Sequence, residues 1–203
     1  MRADLFKNIG DEMKKKILII IAIILLSTNV NAFSDVQGTW AEEYINWASS
    51  RGIFNGYTDG SFKPKLEITN AEFIKVISEL VQNEERVLSN YTDVPADAWY
   101  MDALEKVLGT GLLMNTGEFN PTEHITRIEA FRLISGVYGL QSNQKGKIEF
   151  KDAEVLDNRA GIIRLVNDKI ICGDSNGNLN PLNPITRAEV CKILNQTYLK
   201  YGR

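Results

Sequence analysis

The chain says the same thing three times, and that repetition constrains its fold more than any single residue does. The stretches "FSDVQGTWAEEYINWASSRGIFNGYTDGSFKPKLEITNAEF", "YTDVPADAWYMDALEKVLGTGLLMNTGEFNPTEHITRIEA" and "FKDAEVLDNRAGIIRLVNDKIICGDSNGNLNPLNPITRAEV" align along their whole length. Asp35, Asp93 and Asp152 stand at intervals of 58 and 59 residues, and Thr69, Thr126 and Thr186 at 57 and 60. Within each unit the Asp precedes the Thr by 34, 33 and 34 positions. A fixed period of this size marks one supersecondary unit that is built to be buried against copies of itself.

Each unit reads as helix, loop, helix. In the first, Trp40, Ala41, Tyr44, Ile45, Trp47 and Ala48 fall at helical spacing and predict an apolar stripe. Gly52 and Gly111 stop the first helices of units one and two; the matching position in unit three is Lys169. A turn-rich loop follows, "GYTDGSFKP" in unit one and "GDSNGNLNP" in unit three, with Pro64, Pro121 and Pro181 at one position. Unit two has a loop two residues shorter, "MNTGEFNP". The second helices open on Thr69/Glu72, Thr126/Glu129 and Thr186/Glu189, three capping boxes in which the Thr takes a backbone N–H and the Glu reaches back. Phe73, Ile74, Val76, Ile77, Leu80 and Val81 then predict a buried face. The linkers "NEERVLSN" and "QSNQKGKIE" are polar. One unit of about 50 residues buries too little on its own. Three stacked units predict a mainly α, pseudo-threefold bundle with grooves where units meet.

The first 32 residues are of another kind. Lys14, Lys15 and Lys16 precede the apolar run "ILIIIAIILL", and "STNVNA" ends in small residues at Val30 and Ala32. This order predicts a secretory signal peptide over 1–32, cut after Ala32. Ten strongly apolar residues fall short of the roughly 20 that span a bilayer; an uncleaved anchor is the alternative. Met13 is an alternative first residue, since such leaders begin near their basic cluster. Three segments then follow: 33–90, repeat one with its linker; 91–149, repeat two with its linker; and 150–203, repeat three.

Composition excludes rather than selects. The chain is 44% hydrophobic and 24% charged, with a formal net charge of −3. Cleavage at Ala32 leaves 18 basic and 23 acidic residues, a mildly acidic exported protein with no call on nucleic acid and none on the membrane. The two cysteines, Cys172 and Cys191, read as small core residues, though export permits a bridge. His124 is the only histidine, and with no matched nucleophile it makes no triad. The acids recur with the repeat, as architecture does, so the reading is non-catalytic and without a cofactor. "DSNGN" opens like a calcium loop, but Ile185 stands where the twelfth-position Glu is required, so no metal site is expected.

One position resists a purely structural account. Arg127 and Arg187 follow their capping threonines directly, where a cation costs about 0.3–1 kcal/mol against the helix dipole. A bound anion beside the helix N-terminus would reverse that sign, because free N–H groups and a guanidinium fork both suit a carboxylate. The alternative is that the arginines are solvated or pair with Glu129 or Glu189. Trp40 and Trp99 are read either as core or as a face for a ligand ring. Asp35, Asp93 and Asp152 are read as helix caps or as ligand contacts.

Aromatic-x-Asp-Val, Trp-Ala, Gly-Ile-x-x-Gly-x-x-Asp-Gly-x-Phe-x-Pro and Ile-Thr-Arg-Ala-Glu together resemble the S-layer homology repeat, in three tandem copies over about Phe33 to Tyr201. The resemblance implies a three-pronged helical domain that attaches proteins non-covalently to the bacterial envelope. Its implied ligand is a secondary cell-wall polysaccharide carrying a pyruvate ketal, or peptidoglycan. A surface-protein partner is the third implied class, and secretion to the cell wall or S-layer the implied location. Carried over by motif, the implied ligand-binding residues are Asp35, Trp40, Asp93, Trp99, Arg127, Asp152 and Arg187. No unit is complete: Asn70 replaces the arginine of unit one, and Asp157 or Asn158 stands where unit three should have Trp. The junction joining the Trp-bearing units to Arg127 is the best equipped.

Overall fold

Each capping box forms. Thr69, Thr126 and Thr186 are extended residues whose Oγ1 accepts the N–H of Glu72, Glu129 and Glu189, while each Glu accepts the N–H of its Thr. These boxes start the second helix of every repeat in a computed structural model that describes residues 33–140, 149–155 and 160–202. The expected leader, the alternative start and Asp157/Asn158 lie outside the described residues. Six α-helices and no strands are found among those that are described: α1 Glu42–Ser50, α2 Asn70–Ser78, α3 Met101–Leu108, α4 Arg127–Val137, α5 Ala160–Asn167 and α6 Arg187–Tyr201. A 3₁₀ turn, Ala153–Val155, precedes α5. The mainly α, helix-loop-helix reading therefore holds. The segment from Leu80 to Thr92 has no regular structure, yet it packs Val81, Val87 and Tyr91 on the core.

The stop signals act by backbone conformation. Gly52, Gly111 and Lys169 all take left-handed φ, at 69°, 72° and 57°. Lys169 adopts this conformation although a side chain disfavours it, by about 1–2 kcal/mol. The loop repeats the device at Lys63, Asn120 and Asn180, with φ of 56°, 54° and 54°.

Among the described residues, the close helix pairs join different repeats. First helices pack on second helices of a neighbour: α3 on α2, α5 on α4, and α1 on α6, so the first repeat meets the last. At the contact of α5 with α4, a Cβ on Gly161 would collide with Ser135. Trp47 of α1 and Tyr198 of α6 pack with their rings tilted by 53° and centroids 5.4 Å apart, and the Arg51 guanidinium lies 5.0 Å from the Trp47 ring. Near the chain end, Asp168 accepts from Arg164 at 3.0 Å and from Lys200 at 2.7 Å, and also from Tyr201, fastening α5 to α6.

A ring of hydrogen bonds lies where the three second helices begin. Ile68 N–H donates to Ile185 C=O (3.1 Å), Ile185 N–H to Ile125 C=O (3.3 Å), and Ile125 N–H to Ile68 C=O (3.1 Å). All three side chains are buried in one continuous core, each contributing about 1.5–3 kcal/mol. Ile45, Phe73, Leu104, Phe131, Ile162 and Leu194, one from each helix, are fully buried in that core.

Candidate functional site

The repeated spacing of each Asp to its loop becomes a clamp. Asp35 Oδ1 and Oδ2 accept the N–H groups of Phe62 and Lys63, both at 2.8 Å. Asp93 holds Phe119 and Asn120 at 2.8 and 2.7 Å. Asp152 holds Leu179 and Asn180 at 2.9 and 2.8 Å. The second residue in each pair is the left-handed one, so a bidentate carboxylate fixes the strained turn. Desolvation opposes the charge on Asp93, but these two N–H bonds prevail and hold its carboxyl below the ordinary value. The helix-cap reading of these acids is therefore corrected. α1 begins after Ala41 with no side-chain cap, and Asp35 serves a loop 27 residues on.

The helix N-termini also differ from expectation. The first two N–H groups of α2 donate to Glu123 and Pro121 C=O at 2.8 and 3.1 Å. Those of α4 donate to Asn183 and Pro181 C=O, both at 2.9 Å, and those of α6 to Leu66 and Pro64 C=O at 2.9 and 3.0 Å. With the third N–H taken by Thr, no first-turn donor is left for an anion. The expectation of free amide ends fails because the neighbouring repeat's Pro-x-x loop supplies the missing carbonyls.

The side chain after each Thr reaches the same neighbouring loop. Arg127 Nε donates to Leu179 C=O at 3.1 Å and Nη1 to Glu189 Oε1 at 2.7 Å. Its Nη2 has no hydrogen-bond partner among the described residues. Burial works against the Glu189 carboxylate, yet the Thr186 bonds and the Arg127 charge outweigh it and lower its pKa. Arg187 is 5% exposed. Its Nε donates to Phe62 C=O at 2.9 Å and Nη2 to Asn55 C=O at 2.8 Å. Its guanidinium carbon lies 4.5, 4.9 and 5.1 Å from the Phe62, Tyr57 and Phe54 rings. Asn70 does the same in short form, Nδ2 donating to Asn120 C=O at 2.9 Å. The helix-dipole cost of a cation here is offset by carbonyl dipoles of the next repeat.

Trp40 and Trp99 are not core. They precede their helices and are 62% and 66% exposed, with Tyr44 and Tyr100 as ring neighbours at 6.3 and 5.3 Å. The apolar stripe of α1 thus runs through Ala41, Ile45 and Ala48 alone at full burial.

Among the described residues, cavities open where a second helix meets the next repeat's loop. One, about 300 Å³, is lined by Arg127, Asp174, Leu179, Asn183 and Glu189, with Cys172 at its edge. The other, about 480 Å³, is lined by Asn70, Tyr91, Glu118, Phe119, Glu129 and Arg132 and extends to Gly161. Cys172 is exposed and Cys191 is buried, both as free thiols, so the two-core-cysteine reading holds only for Cys191. Burial pushes the Cys191 thiol pKa up, leaving it protonated. Asp174 closes its own loop, accepting the N–H groups of Asn176 and Asn178 at 2.9 Å. His124 is exposed, 3.3 Å from Glu67. Arg187 in its aromatic enclosure was the feature that reading the sequence missed; Phe54, Tyr57 and Phe62 in the partner loop were its only signal.

Three stretches, 32–74, 90–131 and 149–191, match the S-layer homology domain. The chain is 30% identical over 84% of its length to the surface-layer 125 kDa protein of Lysinibacillus sphaericus, covering 15% of that protein. It is 28% identical over 80% of its length to exoglucanase XynX of Acetivibrio thermocellus, covering 16%. A cellulosome-anchoring protein of the same organism is 32% identical over 36% of this chain, a stretch that makes up 17% of that protein. The chain thus spans less than a quarter of these curated relatives. On the strength of three tandem matches over most of residues 32–191, the chain belongs to the S-layer homology family.

Proposed function

We propose that this chain is a non-catalytic module that anchors to the cell wall, binding an acidic, pyruvylated secondary wall polysaccharide through grooves between the repeats of a pseudo-threefold bundle. It is a cell-wall-associated protein of the cell surface. Relatives named for surface layers, for an exoglucanase and for cellulosome anchoring share with it only this repeat stretch, which fits attachment rather than chemistry. The cyclic pairing of helices supports the threefold arrangement.

One observation carries the reading: Arg127 sits in the groove of about 300 Å³ with its Nη2 uncommitted. With the helix amides capped by carbonyls, a ligand carboxylate is received by this guanidinium edge and not by the dipole. Exposed Trp40 and Trp99 offer faces on which a sugar ring can lie. Asp35, Asp93 and Asp152 act through the loops they hold, and Arg187 by joining the third repeat to the loop of the first.

Sedimentation of the full chain with purified walls, before and after removal of acidic polysaccharide, tests this. Loss of binding to stripped walls is expected. Unchanged sedimentation would assign the attachment to peptidoglycan or a surface-protein partner instead.

A further inference from the structure

Resting on the reading of Arg127 as the receiver of an acidic saccharide, we infer that one loop position, Tyr57 in unit one and Asp174 in unit three, determines whether the arginine reaching that loop from the neighbouring repeat is presented to the ligand or sealed between repeats. The two loops share their backbone. Tyr57 N–H donates to Ser61 C=O and Asp174 N–H to Asn178 C=O, both at 2.8 Å. Gly60 and Gly177 N–H return to Tyr57 and Asp174 C=O, both at 3.0 Å. Each loop also receives its arginine by the same first bond, Arg187 Nε on Phe62 C=O at 2.9 Å and Arg127 Nε on Leu179 C=O at 3.1 Å.

The arginines part at their outer nitrogens. Arg187 Nη2 continues to Asn55 C=O at 2.8 Å. The residue in that place in unit three is Cys172, whose carbonyl receives no hydrogen bond among the described residues. Arg127 instead turns Nη1 to Glu189 Oε1 at 2.7 Å.

The loop residue accounts for the parting. The Tyr57 hydroxyl donates to Glu72 Oε1 at 3.4 Å, the equivalent of the glutamate oxygen that Arg127 binds. The Tyr57 ring lies 4.9 Å from the Arg187 guanidinium carbon. Tyr57 therefore occupies the carboxylate that would draw the guanidinium outward and covers its face as well. An ionised aspartate has no proton to give, and Asp174 is turned into its own loop. Its Oδ1 accepts the Asn176 and Asn178 N–H groups at 2.9 Å, and its Oδ2 accepts Asn180 Nδ2 at 3.1 Å. These bonds, that of Asn178 first, hold its carboxyl below the ordinary value. Glu189 Oε1 is left for Arg127, a charge-assisted bond stronger than one to a carbonyl, and Arg127 Nη2 stays in the groove. In unit one the acid that closes the loop is Asp59, which accepts the Ser61 N–H at 2.9 Å; its counterpart in unit three is Asn176. Asp174 is thus a positioning residue that acts on the saccharide through Glu189 and Arg127.

Exchanging the loop pairs in the full chain tests this. Asp174→Tyr with Asn176→Asp writes the unit-one pair into unit three, and Tyr57→Asp with Asp59→Asn does the reverse; each keeps a carboxylate to close the loop. Phenylglyoxal, which modifies accessible guanidinium groups, is followed at each arginine by mass spectrometry, with circular dichroism to verify the helices. Labelling of Arg187 should rise at least about tenfold in the Tyr57→Asp pair, and labelling of Arg127 should fall by a similar factor in the Asp174→Tyr pair. Tyr57→Phe removes only the hydroxyl and should raise Arg187 labelling about threefold. In calorimetric titration with a pyruvylated wall saccharide, the Asp174→Tyr pair should bind about tenfold more weakly than the parent. Unchanged Arg187 labelling in both Tyr57 variants, or parental saccharide affinity in the Asp174→Tyr pair, overturns the inference and leaves wall anchoring standing. A parent chain that binds neither saccharide nor walls removes the anchoring reading, while the labelling shifts still decide whether this position controls the guanidinium.

Discussion

Arg127 and Arg187 occupy one position in two repeats and have been put to different uses. Arg127 lies at the edge of a groove, its side chain 14% exposed, joined to a carboxylate and holding one nitrogen in reserve. Arg187 is sealed, enclosed by three rings and bound to two carbonyls of the first repeat. The difference lies in the receiving loop. Unit one offers Phe54, Tyr57 and Phe62; unit three offers Ile171, Asp174 and Leu179, and the ring under Arg127 is Phe131 of its own helix, 5.3 Å away. A signature residue therefore has no fixed role in a repeat array. Its partner loop decides whether it binds a ligand or joins two repeats.

The sharpest way to break this contrast is Arg187→Ala. It orphans two carbonyls and empties an aromatic enclosure, and should cost about 3 kcal/mol in chemical denaturation. If Arg127→Ala costs as much, the two arginines are not used differently. Arg127→Ala is instead expected to weaken wall binding about tenfold with unaltered helicity by circular dichroism. Below these in size, Thr126→Ala should lower stability by about 1 kcal/mol through the lost cap, read as a shift in the melt.

The smallest effect expected is on pH dependence. Asp93 and Glu189 have folded pKa values below their ordinary ones. Their contribution is present in full above the unfolded values, near pH 4, and is lost as the pH falls through the folded values. Asp93→Asn and Glu189→Gln should therefore lose less stability than the parent between pH 5 and 3. Parallel acid transitions in all three chains would remove these groups from the account.

Much of this was readable from the chain because it is local. The capping boxes, the helix order and the stops at Gly52 and Gly111 each depend on a few neighbouring residues, and Lys169 obeys the register of the repeat at a conformational cost. The partner of each helix was not readable: α1 on α6 is a contact across nearly the whole chain, and periodicity does not name a partner. The same holds for Asp35, whose two acceptor oxygens serve N–H groups 27 and 28 residues away. The free helix ends assumed from sequence vanished for that reason too. Nothing within one repeat shows that Pro121, Pro181 and Pro64 carbonyls come from the neighbouring repeat to fill them.

The isoleucine ring has a consequence for growth. An open array can be lengthened or trimmed one module at a time, because each new module needs only one neighbour. Here Ile185 hands its carbonyl back to Ile68, so the count is locked: deleting any module leaves two raw ends, and a fourth has no vacancy to enter. Sequence added at the termini leaves that closed ring of three bonds untouched.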